Sequence, residues 1–497
     1  INTTNIYNNP QLSDTFKLID INIDVINPTN SNRSEITKLF LDIPKTYEVK
    51  SPNFIDCDGN LYRFIPTNIK STQPVVEQMI DRPLYMDMNT YEGYIELYGI
   101  NPFSIKSLKL IDYEITAKNN NIIDESSLCI ENEKLKATIN NNGTINLFDK
   151  QNNLTYNEIG YFLDEGEEGF AWTNVPFEPI YNTLNSKPII SVIENNEFYG
   201  AVKIIHKLML PSNYEDRKNK IENTELTIEL IVSLKKHSEL LDFEILVNNT
   251  CESHRLRFMI PSGLNAKSSF GEGQFDVVER SLERPDTKDW VEQPMYDYPL
   301  HNFMDLSDNT NGIAVIVDGL KEYEVLNDKQ NTIAITLFRA FRFIIAPSSK
   351  QDYTFQKGSQ CLGINNYKIS LLPHKGNWVE GDVYNKAICK NNTLSIVQTG
   401  DNNKGDKSEI CFMEILQKEI QFSTIKKAES NLFNEYVLRL YNPTNTILTS
   451  DVKFYTKINS AELVTLEEEL INTLEIENNK ITIEFLPKKI ITIKIKL

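Results

Sequence analysis

Apolar and polar positions alternate with a period of two through most of the chain. Ile19, Ile21, Ile23 and Val25 are separated by Asp20, Asn22 and Asp24, which lines the apolar side chains along one face of a pleated strand. Leu226, Ile228 and Leu230 repeat the pattern, and near the C-terminus Ile491, Ile493, Ile495 and Leu497 alternate with Thr492, Lys494 and Lys496. Between Ala137/Ile139 and Ile145/Leu147 lies Asn142-Gly143, a dipeptide that tolerates the positive φ angles of a hairpin turn. Stretches with the 3.6-residue period of a helix are nearly absent. The segment VVEQMID (75–81) reads as a helical turn or, better, as part of a connection. The pattern predicts an all-β chain built of sandwiches.

At 497 residues the chain has room for about three domains. Residues 1–118 read as a small β-sandwich that ends at the polar run Lys118-Asn119-Asn120-Asn121. Residues 119–385 are continuous strand and turn, too long for one immunoglobulin-like sandwich and suited to a large double-sheet one. Residues 386–497 read as a C-terminal β-sandwich, with an Asn/Lys/Gly/Asp-rich loop near 400–407. A formal charge of -18 and a pI near 4.9 repel phosphate backbones and anionic lipid, which argues against nucleic acid and membrane as partners. No apolar run reaches the roughly 18–20 residues that cross a bilayer. The first residues carry no initiator Met, basic region or apolar leader, so the chain is expected to begin in mid-protein. Six cysteines occur singly, the usage of reduced thiols in a cytoplasmic protein. Homo-oligomerisation stays open.

Several strings of the middle stretch carry a resemblance. ENEKLKATINNNGTINLFDK (131–150) has the form of a hairpin turning at Asn-Gly, followed by the acidic glycine segment YFLDEGEEGF (161–170) and ESHRLRFMIP (252–261). VERSLERP (278–285), EQPMYDYPLHNFMDLSD (292–308), NGIAVIVDGLKEYEV (311–325), ITLFRAFR (335–342) and LLPHKGNW (371–378) come next. In this order they resemble the C-terminal region of glycoside hydrolase family 38, the α-mannosidases, in their bacterial form. The match is good over roughly 120–385 and looser outside it, through phrases such as INPTNSNRSE (26–35).

The resemblance implies a galactose-mutarotase-like supersandwich flanked by two smaller β-sandwich domains. It also implies a retaining α-mannosidase, with an aspartate nucleophile and a second carboxylic acid about 5–5.5 Å apart. Those acids, and a zinc held by His and Asp, belong in the family to an N-terminal α/β barrel. This chain therefore reads as scaffold and rim for a missing catalytic domain, inactive alone and meeting its α-mannoside through that domain. The residues agree: the five histidines lead His206-Lys-Leu, His237-Ser-Glu, His254-Arg-Leu, His301-Asn-Phe and His374-Lys-Gly, and none is the His-x-Asp a zinc site of this kind needs. No cofactor is expected on this chain, and zinc only in the intact enzyme.

The resemblance singles out two residues at the sugar site's rim. Arg339, in TLFRA, matches a family arginine whose guanidinium could fork onto sugar oxygens or hold a carboxylate; the alternative is a structural Arg paired in the core. Trp172 stands where the family has a tyrosine, as a stacking face without the phenolic hydroxyl, or else as a core anchor. Arg342, three residues on, reads as structural. Asp164, Glu165, Glu167 and Glu168 admit an acid/base pair, although an acidic glycine loop is more often a solvated turn. Lone His254, His301 and His374 read as structural, His301 lying near Asp305 and Asp308 in the sequence. Two other function classes compete. One is an aldose-epimerase-like enzyme using His301 or His254 with Glu292 or Glu279; the other is a carbohydrate-binding module displaying aromatics.

Overall fold

The alternation is realised almost everywhere as antiparallel strand. The computed structural model describes residues 15–78, 82–115, 121–343, 357–400, 409–430 and 432–497. Of the expected polar run 118–121, residues 118–120 lie outside these residues. Of the 75–81 segment, Val75–Gln78 is a strand rather than a helical turn, and 79–81 lie outside.

Two compact units form, residues 120–387 and residues 1–119 with 388–497. The first holds a nine-stranded and a six-stranded sheet, with a five-stranded meander at its start. The nine-stranded sheet is built on the long pair Tyr199–Leu210 and Thr224–Lys235, whose alternating Leu226, Ile228, Leu230 and Val232 are fully buried. The six-stranded sheet runs in the order Pro176–Asn182, Tyr161–Glu167, His254–Ile260, Ile333–Arg339, Glu322–Val325, Tyr298–Pro299. One apolar cluster, running from Ile122 to Leu371, joins all three sheets as the core of a supersandwich. The Asn-Gly hairpin is present: Leu135–Ile139 pairs with Ile145–Asp149, Gly143 takes φ 83°, and its N–H donates to Asn140 O at 2.9 Å.

The described residues of the second unit hold two large cores and a small cluster around Ile55 and Ile111. Ile19, Ile21, Ile23 and Val25 pack with Leu39, Leu41 and Ile43 of the strand Arg33–Pro44. A separate cluster gathers Leu438, Leu440, Val452, Ile481, Ile493 and Ile495. The C-terminal stretch does not begin as a domain of its own. Its strand Ser395–Gly400 pairs with Lys17–Asn27, and Glu409–Cys411 pairs with Ser104–Asp112, so both complete the N-terminal sheet. Ladder hydrogen bonds of an edge strand are satisfied by whichever segment reaches it, and here that segment comes from more than 350 positions away.

Candidate functional site

Arg339 and Trp172 are brought together, although 167 positions separate them in the chain. After the strand Tyr161–Glu167 the backbone makes a tight turn, in which Phe170 N–H donates to Thr173 O at 3.0 Å and Thr173 N–H to Phe170 O at 3.1 Å. Trp172 sits at its tip with 67% of its surface exposed. Arg339 ends the strand Ile333–Arg339 beneath it. Its Nη1 donates to Phe170 O at 2.9 Å and lies 3.5 Å from Thr173 O, while Nη2 donates to Ala171 O at 2.9 Å. The guanidinium thus grips the turn's carbonyls.

Glu167 grips the other side. Its Oε1 accepts from Gly169 N at 2.6 Å and Val175 N at 3.1 Å, and its Oε2 lies 3.6 Å from Arg339 Nη1 without a hydrogen bond. Burial pushes this carboxyl above the ordinary glutamate range, against the backbone donors and Arg339, which favour its charge. Gly169 is required by space: a Cβ there would meet Thr173 O at 1.9 Å. The turn is clamped from both ends by side chains that face inward, and the indole is its largest outward-facing side chain.

The same sheet face continues as a ladder of ion pairs. Arg255 Nε donates to Glu165 Oε1 at 2.5 Å and its Nη1 to Asp297 Oδ1 at 2.9 Å; Arg257 Nη1 donates to Glu324 at 2.7 Å, and Arg284 also reaches Glu324. Asn174 ties the turn to this ladder through Asp297 Oδ2 at 3.1 Å. On the opposite face Asp164 is 0% exposed and bonded by Arg217 and by His254 Nδ1 at 2.5 Å, with His254 Nε2 facing Asn249 Oδ1 at 3.0 Å. Burial opposes the Asp164 charge, yet His254 and Arg217 hold its carboxyl below the ordinary range.

These facts decide several readings. The acidic segment is no solvated loop, since Asp164, Glu165 and Glu167 are buried in a strand and engaged there. They cannot reach a substrate as an acid/base pair. His254 has both ring nitrogens committed to Asp164 and Asn249 and no exposure, so the epimerase pairing through His254 is not assembled. His301 lies 3.7 Å from Glu272, and it is His374 that takes Asp305, at 2.6 Å. The strand ends at Arg339, so Arg342 lies beyond it, with its guanidinium 5.5 Å over the Tyr214 ring. Sequence reasoning did not find Asp297 or Arg217, whose partners are 42 and 53 positions away. Among the described residues, no group of three or more His, Cys, Asp or Glu side chains could hold a metal, and no helix is long and apolar enough to cross a membrane.

What the arrangement can do is present an aromatic face. An indole stacks on the apolar face of a sugar ring and offers one N–H donor, but it moves no proton in this chemistry.

Comparison with known proteins gives the context. Residues 130–344 match the family model described as the glycosyl hydrolases family 38 C-terminal domain, and residues 419–493 match that family's C-terminal beta sandwich domain; together these cover more than half of the chain. A Halalkalibacterium halodurans protein named, provisionally, a mannosylglycerate hydrolase is 26% identical over 57% of this chain and 32% of its own length. Alpha-mannosidase G of Dictyostelium discoideum is 25% identical over 88% of this chain and 37% of its own length. The chain thus spans about a third of the length of these relatives. The crystal structure of an alpha-mannosidase from Enterococcus faecalis V583 superposes with a TM-score of 0.79 at 21% identity, covering 96% of this chain and 57% of that one, which shows the fold.

Proposed function

Because the chain belongs to family 38 of the glycosyl hydrolases, we propose that it is the C-terminal β part of an α-mannosidase, lending its sugar site a rim. Mannose-bearing substrates are named for both relatives, and an α-mannoside is the substrate we infer here. The observation that carries the reading is the clamped turn: Arg339 Nη1 and Nη2 and Glu167 Oε1 hold the backbone of 169–175, with Trp172 at its tip as a preformed platform. A platform rigid before binding loses little freedom when a sugar stacks on it.

The nucleophile, the proton donor and the zinc would come from a catalytic domain outside these residues. Among the described residues no group of His, Cys, Asp or Glu side chains fits a zinc. In this division of labour Trp172 orients the sugar ring, Arg339 positions Trp172, and the reacting groups act elsewhere.

Two measurements test it. This polypeptide, supplied with zinc and a chromogenic α-mannoside, is expected to show no turnover; genuine hydrolysis would overturn the division. In the enzyme that contains this chain, Trp172→Ala is expected to raise KM about tenfold, the weight of one stacking contact of about 1.4 kcal/mol, with the circular dichroism unchanged. An unchanged KM removes Trp172 from the rim. Strong glycan-array binding by the isolated chain would instead favour the binding-module reading.

A further inference from the structure

A second feature lies beside the clamped turn and has no part in the rim. Asn213, Tyr214, Glu252, Ser253 and Arg342 line a cavity of about 350 Å³. Small-ligand sites range over about 300–1,000 Å³, so this one has room for a single ring.

Ser253 is the telling residue. It is 1% exposed, and its backbone is held at φ 56°, a conformation rare for a serine. Its N–H donates to Gln360 Oε1 at 2.7 Å and its carbonyl accepts from Glu167 N at 3.0 Å, so the main chain is fully committed. Its Oγ, in contrast, is buried without a hydrogen-bond partner. A hydroxyl withdrawn from water and given nothing in return is a standing cost that a bound group relieves.

The other walls define that group. Arg342 contributes a guanidinium to the lining and Glu252 a carboxylate. The Tyr214 ring forms an aromatic wall, its hydroxyl already donated to Glu168 Oε2 at 2.9 Å. Asn213 is spent as well, its Oδ1 accepting from Asp216 N at 3.1 Å. An anion would face Glu252, and a cation would face Arg342. A neutral polyol suits both, because each hydroxyl donates once and accepts at the same oxygen. Vicinal hydroxyls can bridge a guanidinium and a carboxylate while a third meets Ser253 Oγ.

We propose that this cavity binds one neutral hydroxylated ring of monosaccharide size, as an accessory sugar site separate from the Trp172 platform. The inference goes beyond the rim reading and does not need it. The two sites are neighbours: Phe343, edge-on to Tyr214 at 6.2 Å, is bridged to Phe170 of the turn, and Ser253 O accepts from Glu167 N.

The experiment titrates the full chain with D-mannose by saturation-transfer NMR and calorimetry, with inorganic phosphate and cyclohexanol as controls. Mannose is expected to saturate in the millimolar range, while phosphate and cyclohexanol do not. Glu252→Gln and Ser253→Ala are each expected to weaken mannose at least about tenfold, the loss of one hydrogen bond to a charged or buried group, without lowering Tm. Trp172→Ala leaves this binding unchanged. Absence of saturation overturns the proposal, as does phosphate binding in place of mannose or cyclohexanol binding equally well. So does Ser253→Ala binding mannose as the parent does. Loss of binding in Trp172→Ala would place the sugar at the turn, overturning the cavity and leaving the rim reading intact.

Discussion

Arg339 shows how far a residue's type constrains its work. A guanidinium has five N–H donors in a fixed fork, and here both terminal nitrogens point at carbonyls of one turn. Position and residue type were legible from TLFRA and from the glycine segment. Contact between Arg339 and the Trp172 turn was not, since nothing local links residues so far apart. The histidines make the same point. The sequence sets His301 four positions from Asp305, but the register of two neighbouring strand pairs brings His374 to Asp305 across Gly312. A Cβ on Gly312 would lie 2.3 Å from that ring, so the glycine makes the crossing possible. Burial alone would lower the His374 value, yet Asp305 raises it above the ordinary one. Its contribution to stability is therefore fully present below the unfolded value of about 6.5, and is lost as pH rises through the raised folded value. The Tm gap between the protein and His374→Gln should be widest below about pH 6.5 and narrow above it in thermal scans. A gap that widens with rising pH would contradict the pairing.

At the scale of the element, the strand Tyr161–Glu167 explains why the acidic segment misled. Four acids and two glycines within ten residues have the composition of a turn. Tertiary partners override that tendency. Arg255 and Arg257 meet Glu165 on one face of the strand, while Arg217 and His254 meet Asp164 on the other. Each charge is costly alone in the interior and tolerable only as a pair. Arg217→Met leaves Asp164 with His254 as its one remaining side-chain partner, and should destabilise residues 120–387 by about 3–5 kcal/mol in urea titrations. Replacing Asp164 as well, by Leu, should recover most of that loss. If the double variant is no more stable than Arg217→Met, the pair is not the origin of the effect.

At the scale of the whole molecule, the middle unit closes on itself and the outer unit does not close without both ends of the chain. Residues 120–387 contain every strand of the large core, whereas the sheet of Lys17–Asn27 takes strands from beyond residue 394. Excised, residues 120–387 should show their own cooperative melt by calorimetry. Residues 1–119 alone should show none, because Lys17–Asn27 is left with an unpaired edge and the Leu394 and Ile396 contacts are missing from its core. Adding residues 388–497 in trans should restore the transition.

Strands, the Asn-Gly hairpin and the family were determined by the sequence, because periodicity and turn chemistry depend on residues a few positions apart. Tertiary structure alone decided which acids are shut inside, which cation holds the Trp172 turn, and that a C-terminal strand completes an N-terminal sheet. Those outcomes depend on pairing across roughly 50 to 370 positions, where burial makes an ion pair or a ladder bond obligatory without naming its partner in advance.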